Sequence, residues 1–113
     1  MAVMMANYLI TDAQIAVAPA TFTSAAINIE KAGALAVHTQ ALVGAGPDIS
    51  YTYTVSSSKD GIFVPGEATI KANRSAIGVD DFAPEAASWI KIIITNNAAA
   101  VVTPKVVLAV QEI

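Results

Sequence analysis

The sequence predicts an all-β fold, an antiparallel β-sandwich of jelly-roll type with about seven or eight short strands. Three observations support this prediction: apolar and polar residues alternate with period two, turn-forming residues separate the alternating runs, and helical periodicity is nearly absent. A chain of 113 residues can bury one core but not two. We therefore expect a single domain over residues 1–113.

The clearest strand covers residues 49–55, where four apolar side chains alternate with Ser and Thr. Period two with β-branched and aromatic residues is typical of a strand with one buried face. A second alternating run covers residues 35–43, and a loop rich in Gly, Pro and Asp separates the two at residues 44–48. We predict that these two strands form an antiparallel hairpin.

Two hydrophobic runs, 88–95 and 101–110, flank an Asn- and Ala-rich segment and should pass through the centre of the core. Shorter runs with the same period occupy residues 13–17, 25–29, 61–64 and 67–70, the last two joined by a Pro-Gly turn. The core residues predicted from the two hydrophobic runs are Ile90, Ile92, Ile94, Val107 and Val110.

Two prolines limit the regular structure. Pro104 cannot donate a ladder hydrogen bond, which predicts an edge, a bulge or a strand start there and an ordered strand over 106–110. The one helical candidate is residues 80–88, where Pro84 could begin a single turn. We interpret this segment as a connection between strands.

The composition is unusual because 55% of the residues are hydrophobic and only 13% are charged, against roughly 25% charged in average domains. So few charges leave neutral or apolar patches exposed, and large patches of this kind mark interaction sites. The net charge of −3, with the six Lys and Arg scattered singly, argues against nucleic acid as a partner. With no cysteine, the chain has no disulfide framework and no thiolate metal site.

The N-terminal segment 1–10 is apolar, without the basic start of a signal peptide, and it is too short to span a bilayer. We therefore expect no membrane partner and assembly in the cytoplasm. Two interpretations of the segment stay open: an assembly arm that packs on a neighbouring subunit, or the first strand of its own sheet. Trp89, which shares a strand face with Lys91, is a second candidate contact. The predicted interface residues are Val3, Met4, Met5, Tyr8, Leu9, Ile10 and Trp89.

Residues for catalysis are scarce. His38 is the only histidine and has no acid or nucleophile beside it in the sequence, so a catalytic relay has nothing to build on. We expect no enzyme activity, no catalytic residue, no cofactor and no metal site. One alternative is left open, a calcium ion held by carboxylates chosen from Asp48, Asp60, Asp80 and Asp81, although their spacing matches no calcium loop.

Residues 53–63, a strand ending in a Ser-rich Asp-Gly turn, are followed by residues 87–96, where an aromatic residue leads an aliphatic strand with one Lys. Together with the hydrophobic last strand, this pattern resembles small virion proteins of tailed bacteriophages or prophages with β-sandwich or jelly-roll folds. The resemblance covers roughly residues 25–112. It implies a role in the virion, as in capsid decoration or head stabilisation, and carries over no catalytic residue.

The sequence thus favours a non-enzymatic structural subunit of a repeating assembly, most concretely a phage virion protein assembled in the host cytoplasm. Its partners would be copies of itself and a larger assembly such as a capsid. The alternative is a ligand- or carbohydrate-binding β-sandwich module, for which the aromatic residues would supply the stacking surface.

Overall fold

The computed structural model describes residues 4–112, and the regular structure in this range consists of β-strands. None of these residues forms a helix long and apolar enough to cross a membrane. The strands are β1 (Met4–Thr11), β2 (Ala20–Thr23), β3 (Ile27–Asn28), β4 (Ala32–Gly44), β5 (Ile49–Ser56), β6 (Val64–Pro65), β7 (Lys71–Arg74), β8 (Gly78–Phe82), β9 (Trp89–Asn96) and β10 (Val102–Glu112).

The strands form two antiparallel sheets that pack face to face. Sheet A has the order β1-β10-β4-β8, and sheet B has the order β2-β9-β5-β6, with β3 added to β9 and β7 added to β5. Eight of the strands pair in a nested way: β1 with β10, β2 with β9, β4 with β8, and β5 with β7. This is one long hairpin rolled into a sandwich, the jelly roll. The predicted all-β class is confirmed, and two of the strands, β3 and β6, have only two residues.

The predicted hairpin of residues 35–43 with 49–55 is wrong, because β4 lies in sheet A and β5 in sheet B. Residues 45–48 cross between the sheets instead of turning within one. Period-two alternation fixes which side of a strand is buried but not which strand lies beside it. The two strands meet through side chains, where the hydroxyl groups of Thr39 and Tyr51 share a hydrogen bond of 2.5 Å across the interior.

The core lies between the inner faces of the two sheets. From β9 it takes Ile90, Ile92 and Ile94, all with no exposed surface, as predicted. From β10 it takes the alternate residues from Val106 to Val110. Val107 is buried as predicted, but it points to the outer side of sheet A and lies outside the main core cluster. It is nevertheless only 8% exposed, because outer neighbours cover it.

Pro104 lies in β10 and is fully buried. The pairing of β1 with β10 ends at Val106, and the β10–β4 register shifts between Lys105 and Val106, so Pro104 lies next to a bulge, where β4 alone pairs with β10. The strand is longer than the predicted 106–110, because β4 continues to pair with it as far as Val102.

Four short segments differ from the sequence prediction. Residues 13–17 form only a single bridge, Ile15 with Val102, and the strand begins after them at β2. The runs 61–64 and 67–70 are replaced by β6 and β7, each shifted toward the C-terminus. The first residues of the predicted connection 80–88 belong to β8. The sequence pattern does not indicate this strand, because its buried central position is occupied by Asp80 rather than by an apolar residue.

Candidate functional site

The outer face of sheet A exposes several apolar side chains, among them Met5, Leu9 and Val79. Its residues follow from the strand register, since directly opposite residues in antiparallel strands point to the same side. Leu9 opposes Val107, and Val107 opposes His38. The part of the outer face where all four strands lie side by side consists of Met5, Asn7, Leu9, Ala34, Ala36, His38, Val79, Asp81, Val107, Ala109 and Gln111.

This face holds a shallow depression of about 180 Å³. Its floor is formed by methyl groups of alanines, and longer side chains such as Met5 and Val79 form its rim. Met5 is 58% exposed, Leu9 57% and Val79 54%. Among residues 4–112 the charged residues on this side of the sheet are Asp81, at the β8 edge, and Lys105, two residues before Val107 in β10. The depression is therefore almost uncharged as well as apolar.

The outer face of sheet B is different. Thr and Ser occupy most of its outward positions, including Thr21, Thr23 and Thr52. Its aromatic rings have ammonium groups over them: Lys91 Nζ lies 4.3 Å from the centre of the Phe63 ring, and Lys59 Nζ lies 5.9 Å from that of Trp89. Hydroxyl groups hydrogen-bond readily to water, so this face needs no cover.

The structure divides the predicted interface residues between several places. Met5 and Leu9 lie on the outer face of sheet A and are exposed. Tyr8 points to the other side of β1, at the rim of a cleft of about 300 Å³ that Glu112 also lines, and Ile10 is buried in the core. Trp89 lies half-buried on sheet B. Met4 begins β1, and Val3 lies outside the described residues.

The described part of the N-terminal segment forms a strand of its own sheet, which is one of the two interpretations of that segment. Residues 4–11 pair with β10 along their length, with one irregularity between Leu9 and Thr11, so they do not extend away as an arm. Pairing satisfies the backbone groups on one side of β1, and Ile10 adds to the core. The predicted contact between the outward residues of β1 and a neighbouring subunit stays a prediction.

The residues considered for chemistry are dispersed. His38 is half-buried on the outer face of sheet A. The Arg74 guanidinium donates two charge-assisted hydrogen bonds, of 2.6 and 2.5 Å, to the two carboxylate oxygens of Asp80. Asp80 is one of the four predicted candidate calcium ligands, and both of its oxygens are bonded to Arg74. This ion pair, whose partners are mostly buried, joins β7 of sheet B to β8 of sheet A. Among residues 4–112, no three His, Cys, Asp or Glu side chains come together as a metal site.

A second cleft, of about 350 Å³, lies between residues 29–35 and 82–87. Glu85 in its wall accepts hydrogen bonds from the Glu67 backbone N–H (2.7 Å) and the Tyr53 hydroxyl (3.2 Å), and the former chiefly lowers the pKa of Glu85. Burial, with help from Glu85, raises the pKa of Tyr53. No local sequence pattern predicts the contact between Tyr53 and Glu85, because 32 positions separate the two residues in the chain.

No known protein family matches the sequence, and no curated protein matches it. Solved structures do share the fold. The VP2 subviral particle of infectious bursal disease virus aligns over 97% of this chain and 33% of the VP2 chain, with a TM-score of 0.62 and 14% identity. T=1 particles derived from the same virus align over 97% of this chain and 31% of theirs, with a TM-score of 0.60 and 18% identity.

A third structure, PirA, aligns over 96% of this chain and 93% of its own, with a TM-score of 0.50 and 10% identity. The chain spans about a third of the VP2 chains that it matches. At these identities the likeness concerns the fold. The class of protein is a jelly-roll β-sandwich of the kind found in a virus capsid protein.

Proposed function

We propose that this protein is a non-enzymatic structural subunit of a repeating assembly, specifically a capsid decoration or head-stabilisation protein in the virion of a tailed bacteriophage or prophage. The observation that carries the proposal is the outer face of sheet A. In the assembly this face is covered by a neighbouring copy of the chain, and the Thr-rich face of sheet B remains toward solvent.

The area of the outer face of sheet A supports its proposed role as a contact surface. Four strands about 4.8 Å apart and five residues of about 3.3 Å give a patch on the order of 300 Å². A patch of this size is at the level where apolar surface on a monomer is often functional. Burying apolar surface contributes roughly 25 cal/mol per Å², and an almost uncharged patch has little desolvation cost to offset that gain.

The virion role has two further supports. The fold is shared with VP2 of infectious bursal disease virus, and residues 53–63 and 87–96 resemble those of small tailed-phage virion proteins. A jelly roll also hosts lectins and other functions, so the fold alone does not select among them. The apolar face favours the structural role.

The carbohydrate-binding alternative has less support. A sugar-stacking site needs an open aromatic face, but Lys59 lies over Trp89 and Lys91 over Phe63. We also propose that the protein has no catalytic activity, since its single histidine lies on an apolar face and Asp80 is held by Arg74.

The test of assembly is the solution mass by light scattering over a range of concentrations. The expected result is a mass that is a multiple of 11.6 kDa. Ala34→Lys places a charge on the exposed floor of the depression and should weaken the association. Thr23→Lys, on the exposed outer face of sheet B, is the matched control and should leave it intact. A monomer at every concentration would contradict the proposal.

The virion role is tested on purified particles from a host that encodes this chain. Mass spectrometry should find the protein in a fixed ratio to the major capsid protein. Its absence from the particles, combined with saturable binding to a polysaccharide in calorimetry, would favour the carbohydrate-binding alternative instead.

A further inference from the structure

The edges of the two sheets differ in how they are protected. An edge strand presents unpaired N–H and C=O groups, and proteins prevent unwanted pairing with charges, prolines or short strands. The β8 edge carries Asp80 and Asp81. On sheet B, β2 is only four residues long and follows Pro19, while the opposite edge contains Pro65 and the Lys71–Arg74 strand.

Strand β1 has none of these protections. It is eight residues long, with the sequence MMANYLIT, and contains no charge, no proline and no glycine. In the part of the chain that the structure describes, β1 pairs only with β10, so its other side is open. Met5 and Leu9 are each more than half exposed beside that open side. A long, uncharged edge of this kind is a template for another strand.

We propose that β1 pairs with β1 of a second copy of this chain, antiparallel about a two-fold axis, so that two four-stranded sheets become one continuous sheet of eight strands. The proposal deepens the proposed function, because the pair would be the smallest unit of the assembly. It assigns to the N-terminal segment an assembly role that needs no extended arm.

The sequence of β1 selects one register for this pairing. A two-fold axis perpendicular to the sheet places each residue opposite one that points to the same face. With Asn7 opposite Asn7 of the second copy, Met5 opposes Leu9 and Ala6 opposes Tyr8. This register matches apolar residues with apolar residues and unites the two amides at the axis. Centring on Tyr8 instead would oppose Asn7 to Leu9, which leaves the amide against an aliphatic side chain.

Electrostatics favours a second copy at this edge. Each chain has a net charge of −3, so two copies repel each other wherever their acidic residues meet. Strand β1 has no charge. The pairing would also bring the outer faces of both A sheets side by side, which doubles the apolar surface offered to the rest of the assembly.

Cross-linking tests the contact directly, because the natural chain has no cysteine. Asn7→Cys should give a covalent dimer with a short bis-maleimide, since the two thiols would lie opposite each other at the axis. Thr23→Cys, exposed on an edge strand of sheet B, should remain monomeric on a denaturing gel. Equal yields from both variants, or none from Asn7→Cys, would overturn the pairing.

A charge test measures the same contact in solution. The double variant Asn7→Lys and Leu9→Lys adds charge to the β1 edge. It should at least halve the mass measured by light scattering, and the circular dichroism spectrum should not change. Thr21→Lys with Thr23→Lys adds the same charge to sheet B and should leave the mass unchanged. If the Lys variant of β1 fails to fold, the cross-link decides.

The two proposals fail in different ways. If the natural chain is a monomer at all concentrations, both are wrong. If it assembles, but Asn7→Cys does not cross-link and the β1 lysines leave the mass unchanged, the edge pairing is wrong while the structural role stands.

Discussion

The two outer faces of the sandwich are built on the same kind of sheet but with different chemistry. On sheet A most outward positions are Ala, Val, Met or Leu, with Asn7, His38, Asp81 and Gln111 among them, whereas on sheet B they are mainly Thr and Ser. Both inner faces supply one common core. Folding needs only one buried face for each sheet, so it does not require this difference, and the proposed assembly role of sheet A rests on it.

Val107 illustrates the contrast. It points outward from the centre of sheet A and is only 8% exposed, while Ile93, at a comparable central position of sheet B, is half-buried. Neighbouring side chains on sheet A thus form a thin apolar layer outside the sheet. Four comparisons, from the largest expected effect to the smallest, can test this contrast.

The largest effect belongs to the inner face of sheet B. Ile92→Ala should lower the free energy of unfolding by about 2 to 5 kcal/mol, because Ile92 has no exposed surface and the substitution leaves a cavity. Ile93→Ala, the next residue on the outer side, should cost about 1 kcal/mol because its side chain is already partly in water. Urea unfolding of both variants measures the difference, and equal costs would contradict the assignment of faces.

The polar contact between the sheets predicts a pH dependence. Burial raises the pKa of Tyr51 to about 12, while an unfolded tyrosine ionises near 10. Above pH 10 the unfolded chain loses this proton and the folded chain keeps it, so stability falls between about pH 10 and 12. The loss is on the order of 2 to 3 kcal/mol.

Tyr51→Phe is the control for this measurement. It should cost about 1 kcal/mol at neutral pH, since Thr39 loses its hydrogen-bond partner. In return, the unfolding free energy should fall less steeply between pH 10 and 12 than in the natural chain. An unchanged slope in the Phe variant would assign the pH dependence to other groups.

Adjacent valines compare the two sides of sheet A. Val106 has no exposed surface and points to the core, and Val107 points outward. Val106→Ala should cost about 1.5 to 3 kcal/mol, and Val107→Ala nearly as much, about 1 to 2 kcal/mol, since both lose buried methyl groups. Thermal and urea unfolding would show this small gap. A negligible cost at Val107 would mean that its outer neighbours do not shield it.

The smallest effect is expected at His38. His38→Ala should change the unfolding free energy by less than about 0.5 kcal/mol, because the ring lies on the outer side of the sheet. The substitution separates stability from association, since it can be assayed by both unfolding and light scattering. If His38→Ala cost more than Ile92→Ala, the inner and outer faces would have been assigned the wrong way round.

Much of the fold was predictable from local patterns. The alternation in residues 49–55 and 88–95 located β5 and β9 and assigned their buried sides, and β9 and β10 lie in the interior of their sheets as expected. The candidate surface was predictable only in general terms, since low charge indicates exposed apolar patches without locating them. Its position required the register of β1, β10, β4 and β8.

The sequence by itself determined the all-β class, the main strands and, for most of them, the side that is buried, because a strand's alternation with period two is a local property of consecutive residues. Only the tertiary structure decided which strands are neighbours. It placed β4 and β5 in different sheets, turned Val107 outward, and set Arg74 against Asp80 so that a carboxylate could occupy an inward position. Strand pairing depends on contacts distant in the sequence, and residues 35–43 and 49–55 would alternate identically in a hairpin or in two sheets.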